Sequence, residues 1–279
     1  MNMSRVIRVF PRRTIATPTD DGVRIGASPG LFDVADRVEI SVAFTWDLPV
    51  AERLANEWRY VAPVSMGGPA LLSRGEEFVP GRFLRRGYTI TSRGCPNKCW
   101  FCSVWRREGG QVRELPIHDG YDILDDNLLA CSDAHVRAVF AMLARQAERP
   151  KFTGGLEAKI LKPWHCEELR KLKPRRLYFA YDTVDDLEPL REAGKMLRGA
   201  GFTTASHVLA AYVLCGWPHD TVERAEKRMR ETLEAGFTPM AMLFRDMDGE
   251  RNPAWKRWAR LWARPAIIHS SNDSGGAKL

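Results

Sequence analysis

From Gly87 onward, short β-branched or aromatic runs alternate with longer stretches in which apolar residues recur every three or four positions. The first pattern predicts strands at 88–91, 123–124, 151–153, 176–180, 208–214 and 240–244. The second predicts helices at 133–145, 165–171, 187–199 and 221–235, with Ser132 or Asp133 as one N-cap and Thr221 as another. Such alternation implies a parallel sheet with right-handed crossovers, curled as a partial barrel whose site lies at the C-terminal ends of the strands. Upstream, a strand at 38–44, a helix at 51–58 and a strand at 61–64 ending in Gly67-Gly68-Pro69 make half a nucleotide fold. The first 37 residues, rich in Pro, Gly, Arg and Thr, read as extended or edge structure. The expected fold is therefore α/β: an N-terminal extension over 1–80, a partial (β/α)6 barrel over 81–245, a closing helix within 246–269 and a disordered tail over 270–279.

Composition narrows this only a little. The chain has 279 residues, 44% hydrophobic and 28% charged, in the ordinary globular range. No apolar run is long enough to span a bilayer, and a cytoplasmic location is expected. A net charge of +7 leaves room for an anionic partner without requiring one. Trp255, Trp258 and Trp262 recur at helical spacing among Lys256, Arg257, Arg260 and Arg264. An amphipathic helix with its tryptophans inward is favoured over an aromatic-basic stripe for nucleic acid.

Chemistry enters with the cysteines. Three of the six, Cys95, Cys99 and Cys102, fall within eight residues after a β-branched run and an Arg-Gly turn. Three thiolates so close can converge on one metal, whereas disulfide pairing leaves one over, and the fourth cysteine that closes a structural zinc site is missing. A four-iron cluster on three cysteines keeps one iron open; a three-cysteine zinc site or an oxidisable thiol group is the alternative. The singletons Cys131, Cys166 and Cys215 lie in or beside apolar stretches and read as buried structural thiols.

The Cys-x3-Cys-x2-Cys spacing, with the aromatic Phe101 before the last cysteine, resembles the signature of the radical S-adenosylmethionine (SAM) superfamily. Asp125-Asp126-Asn127 resembles the Asp-Asp-Asn ending the second barrel strand in its cobalamin-linked branch. The resemblance implies a 4Fe–4S cluster on the three cysteines, with Phe101 beside it and SAM on its open iron. It implies SAM contacts from Asp125, Asp126 and Asn127, from Glu157 after Gly154-Gly155, from Tyr181 and Asp182, and from Gly216 at the fifth strand end. For the acidic turn the plainer reading is a capping turn, and for the glycine pair ordinary turn chemistry. Asp133-Ala-His135 is superficially like a cobalamin-ligating motif, but it sits on a predicted helix after the cysteines, so cobalamin is not expected. The whole chain resembles small radical SAM proteins carried by phages and prophages, a likeness that brings no substrate with it.

The resemblance implies a radical SAM enzyme that takes electrons from a flavodoxin- or ferredoxin-type donor. A 5′-deoxyadenosyl radical would then abstract hydrogen from a substrate, with a nucleotide or nucleic acid preferred on charge. Arg93, Lys98, Arg106, Arg107 and Arg113 flank the cysteines as a docking surface for an acidic donor. The competing expectation is a nucleic-acid-binding module stabilised by a cluster or zinc, without SAM turnover.

Overall fold

The structure, a computed structural model, describes residues 5–75, 77–246, 249 and 253–263. Arg264 and the tail expected from Ser270 lie outside the described residues. The chain separates into two compact units, one up to Gly120 with Gly249, the other from Tyr121 to Asp246 with the C-terminal helix.

The first unit is built on four parallel strands: β1 (Val6–Phe10), β2 (Val23–Ile25), β3 (Arg37–Ser41) and β4 (Val64–Gly67), in the order β2-β1-β3-β4. Helix α1 (Leu48–Trp58) joins β3 to β4. Its Ala51, Leu54 and Trp58 are buried together with Val9, Val38, Ile40 and Val42. The expected strand at 61–64 is displaced to β4 because the Val61 and Ala62 amides both donate to the Trp58 carbonyl, closing the helix first. The first 37 residues, expected as extended or edge structure, supply both an edge strand, β2, and an interior one, β1, whose Ile7, Val9 and Phe10 are buried.

Beyond this sheet come β5 (Tyr88–Thr89), β6 (Ser92–Arg93), the short helix α2 (Val104–Glu108) and β7 (Arg113–Glu114), which pairs antiparallel with β6. The cysteines lie between β6 and α2.

The second unit alternates strictly: β8 (Asp122–Ile123), α3 (Asp133–Ala144), β9 (Lys151–Phe152), α4 (Pro163–Leu172), β10 (Arg176–Tyr181), α5 (Leu187–Gly199), β11 (Leu209–Cys215), α6 (Val222–Glu234) and β12 (Thr238–Leu243). All five strands are parallel and lie in sequential order. Ser132 caps α3 by accepting the His135 amide, and Thr221 caps α6 by accepting the Arg224 amide. Leu177, Phe179, Leu197, Val213 and Met229 are buried between this sheet and its helices. Helix α7 (Pro253–Trp262) packs on β12 with Trp258 and Trp262 buried and Lys256, Arg257 and Arg260 exposed, as the amphipathic reading expected. Among the described residues no helix is long and apolar enough to cross a membrane.

Candidate functional site

The cysteines belong to the first unit and the other candidate residues, Phe101 apart, to the second. Gly94, which leads into the loop, has φ +92°, and a Cβ there would overlap the Gln111 carbonyl oxygen. Only glycine lets the chain turn from β6 into the cysteines. Beyond it, Cys95, Cys99 and Cys102 are reduced thiols of intermediate exposure. The Cys99 carbonyl accepts both the Cys102 amide at 3.1 Å and the Trp105 indole N–H at 3.0 Å, which ties the loop to α2. Phe101 meets Trp100 edge-on, ring centres 5.4 Å apart.

Number and kind of donors suit a cluster that asks for three thiolates. Among the described residues, however, no three His, Cys, Asp or Glu side chains are gathered as a ready-made metal cage. Cys166 and Cys215 are buried, and burial pushes their thiols up to about 11 and about 12, so both stay protonated. Cys131 is half-buried, short of the full burial expected for it.

The structure alters the expected basic surface. Arg107 is not free to meet a partner: its side chain is 8% exposed and donates to Glu108, itself buried, at 2.9 Å. Glu108 also accepts the Gly75 amide and the Arg113 guanidinium, so these charges stitch the loops around the cysteines together. Lys98 and Arg106 remain exposed.

In the second unit the candidate residues cluster at the C-terminal ends of the strands. Asp125 and Asn127 are buried after β8, and Asp126 is partly exposed. A Cβ on Gly154 would overlap the Asp125 carbonyl oxygen, so close packing of two strand ends requires this glycine, while Gly155 is favoured by its φ of +97°. One turn further, the Asn127 amide donates to the Glu157 carboxylate at 2.6 Å, joining two residues that the sequence placed at separate strand ends. Asp182, after β10, accepts the Leu214 amide, and burial beside Asp186 pushes its carboxyl up to about 6. Tyr181 points elsewhere: it lies on the helix side of β10, and its hydroxyl donates to Glu231 of α6 at 2.6 Å. The Gly216 amide donates to Asp220 at 2.8 Å.

Sequence reasoning missed the pair behind that last contact. Asp220, with no side-chain exposure, binds Arg228 of α6 at 2.7 Å, while the same guanidinium donates to the Leu214 carbonyl and lies over Trp217. The two residues are eight positions apart, so neither capping nor i,i+4 spacing announces them. Of the histidines, His165 is buried and accepts the Lys162 amide at Nδ1, and burial lowers it to about 4. It is a helix-capping residue. A cavity of about 420 Å³ between α3 and α4, lined by Arg137, Phe140, Arg149 and Lys171 among others, includes none of the candidate residues.

No family model matches the chain, and no curated protein matches it either.

Proposed function

We propose that this chain is a radical SAM enzyme: Cys95, Cys99 and Cys102 hold a 4Fe–4S cluster, and SAM is cleaved reductively. The observation that carries the reading is the loop of three reduced thiols on the Cys-x3-Cys-x2-Cys spacing, led by a glycine that no other residue can replace. The sequential parallel order of the second unit supports it, because that is the strand order of a (β/α) barrel wall, whose functional residues gather at the C-terminal strand ends. Cys95, Cys99 and Cys102 would hold the cluster, which when bound would supply the electron for reductive cleavage of SAM and so the hydrogen-abstracting chemistry.

The chain's own groups have separate tasks in this reading. The Asn127–Glu157 pair and Asp126 offer acceptors to the ammonium and ribose hydroxyls of SAM. Asp182 offers a carboxylate oxygen at the next strand end. Exposed Lys98 and Arg106 present positive charge to an acidic flavodoxin- or ferredoxin-type donor.

Anaerobic reconstitution with iron and sulfide tests the reading. It requires about four irons per chain and, on reduction, an electron paramagnetic resonance signal that SAM alters. Bound zinc with no such signal would favour the metal-stabilised nucleic-acid-binding module.

A further inference from the structure

The two strands that bracket the cysteine loop set like charges face to face. Arg93 of β6 stands directly opposite Arg113 of β7 in the antiparallel register, two residues before Cys95. A cross-strand pair of equal charge pushes its strands apart. Arg107, on α2 after the loop, adds a third guanidinium. One carboxylate stands among them. Glu108, its side chain 1% exposed, accepts from Arg107 at 2.9 Å and from Arg113 at 3.2 Å. Arg93 lies close by across Gly75: a Cβ on that glycine would sit 3.1 Å from Glu108 Oε1 and 3.3 Å from Arg93 Nε. The Gly75 amide donates to both Glu108 oxygens, and the Gly75 carbonyl accepts from Arg113.

The carboxylate therefore serves both ends of the loop at once. Strand β6 leads into the cysteines, and α2 leads out of them. Trp105 and Glu108 are three positions apart on α2 and share a face. From that face the Trp105 indole bonds the Cys99 carbonyl, and Glu108 bonds Arg113 on the strand paired with β6. Bonded groups thus run from the middle of the loop to the hairpin that carries it. Metal ligands bind best when groups behind them hold them in place beforehand.

We infer that Glu108 is a positioning residue for Cys95, Cys99 and Cys102: its charge offsets the opposed arginines and keeps the two ends of the loop together before any metal arrives. Charge is the operative property, because without it Arg93, Arg107 and Arg113 repel one another across the hairpin. The inference concerns order in the iron-free loop, and it rests on the cluster reading only where iron is measured.

A double-mutant cycle on the full chain tests this, read by hydrogen exchange without iron and by loss of iron to a chelator after reconstitution. Glu108→Gln keeps the shape and removes the charge. It should speed exchange over residues 92–103, and iron loss, by about tenfold or more. Arg113→Met should change either by less than about threefold. The double variant Glu108→Gln/Arg113→Met has the parent's net charge in this cluster and should return both readouts to within about threefold of the parent. A role in packing alone predicts losses that add. The inference is overturned if Glu108→Gln leaves exchange within about twofold of the parent, or if the double variant exchanges as fast as Glu108→Gln. It is overturned also if α1 exchanges faster by the same factor as the loop. Should Glu108→Gln fail to fold, the double variant decides: folded protein with exchange like the parent's supports the inference, and a second failure overturns it. Parent protein that binds no iron would strike the cluster assignment alone, since the exchange arm needs no metal.

Discussion

The cysteine loop and the strand ends of the second unit carry the two halves of the proposed chemistry, and they are held in opposite ways. Between Cys95 and Cys102 the side chains are half-exposed or exposed, and the Cys99 carbonyl anchors both the Cys102 amide and the Trp105 indole. At the strand ends, Asp125, Asn127 and the Asp220 side chain are buried, Gly154 admits no side chain, and Arg228 reaches across from α6 to hold the turn after β11. The comparison teaches where order comes from. Packing and buried hydrogen bonds fix the strand ends, whereas in the proposed reading the loop would gain further order from the cluster it holds, as metal sites commonly do.

The sharpest way to break that contrast is to remove a thiol. Cys95→Ala, Cys99→Ala and Cys102→Ala should each lose most bound iron, while the melting temperature of the iron-free protein stays within a degree or two, since surface changes are worth about 0.5 kcal/mol or less. Cys166→Ala and Cys215→Ala should do the reverse, keeping the iron and lowering stability. An iron-free Cys99→Ala protein that unfolds would show the loop to be structural.

At the strand ends, Arg228→Met leaves Asp220 buried and unpaired and should cost about 3–5 kcal/mol in urea unfolding. The double variant Arg228→Met/Asp220→Leu should recover most of that loss. If the double is as unstable as the single, desolvated charge is not the cause. Gly154→Ala should cost about 2–3 kcal/mol, because its Cβ forces two strand ends apart.

The smallest expected effect depends on pH. The Asp182 carboxyl is raised in the folded state from 3.8 to about 6, so the native protein holds this proton more tightly than the unfolded chain. Its contribution to stability is full below pH 4 and is lost as pH rises through 6. Asp182→Asn should therefore be more stable than the parent at pH 7, by roughly 2 kcal/mol, with the gap closing below pH 4. A gap that persists at pH 3.5 would assign the effect to packing.

Legibility in the sequence followed the range of the interactions. Strands and helices of the second unit were legible because their apolar periodicity and caps are local, and α5 falls at the residues expected. Strand β1 was not placed, although Val6, Ile7, Val9 and Phe10 are apolar, because the surrounding Arg and Pro residues pointed to an edge. The three cysteines stood out through spacing alone. The Asn127–Glu157 bond, the Asp220–Arg228 pair and the bond from the Gly75 amide to Glu108 come from tertiary contacts that spacing does not encode. Tyr181 was assigned by position at a strand end, but strand alternation sends its side chain to α6.

The central claim is that the Cys95–Cys99–Cys102 loop supports reductive cleavage of SAM, and product analysis tests it most directly. Iron-loaded protein, dithionite and SAM are incubated anaerobically, and 5′-deoxyadenosine is quantified for the parent and for Cys99→Ala. The account predicts 5′-deoxyadenosine from the parent and none from the variant. Iron-loaded parent protein that yields no 5′-deoxyadenosine, or a variant that yields as much as the parent, would contradict it.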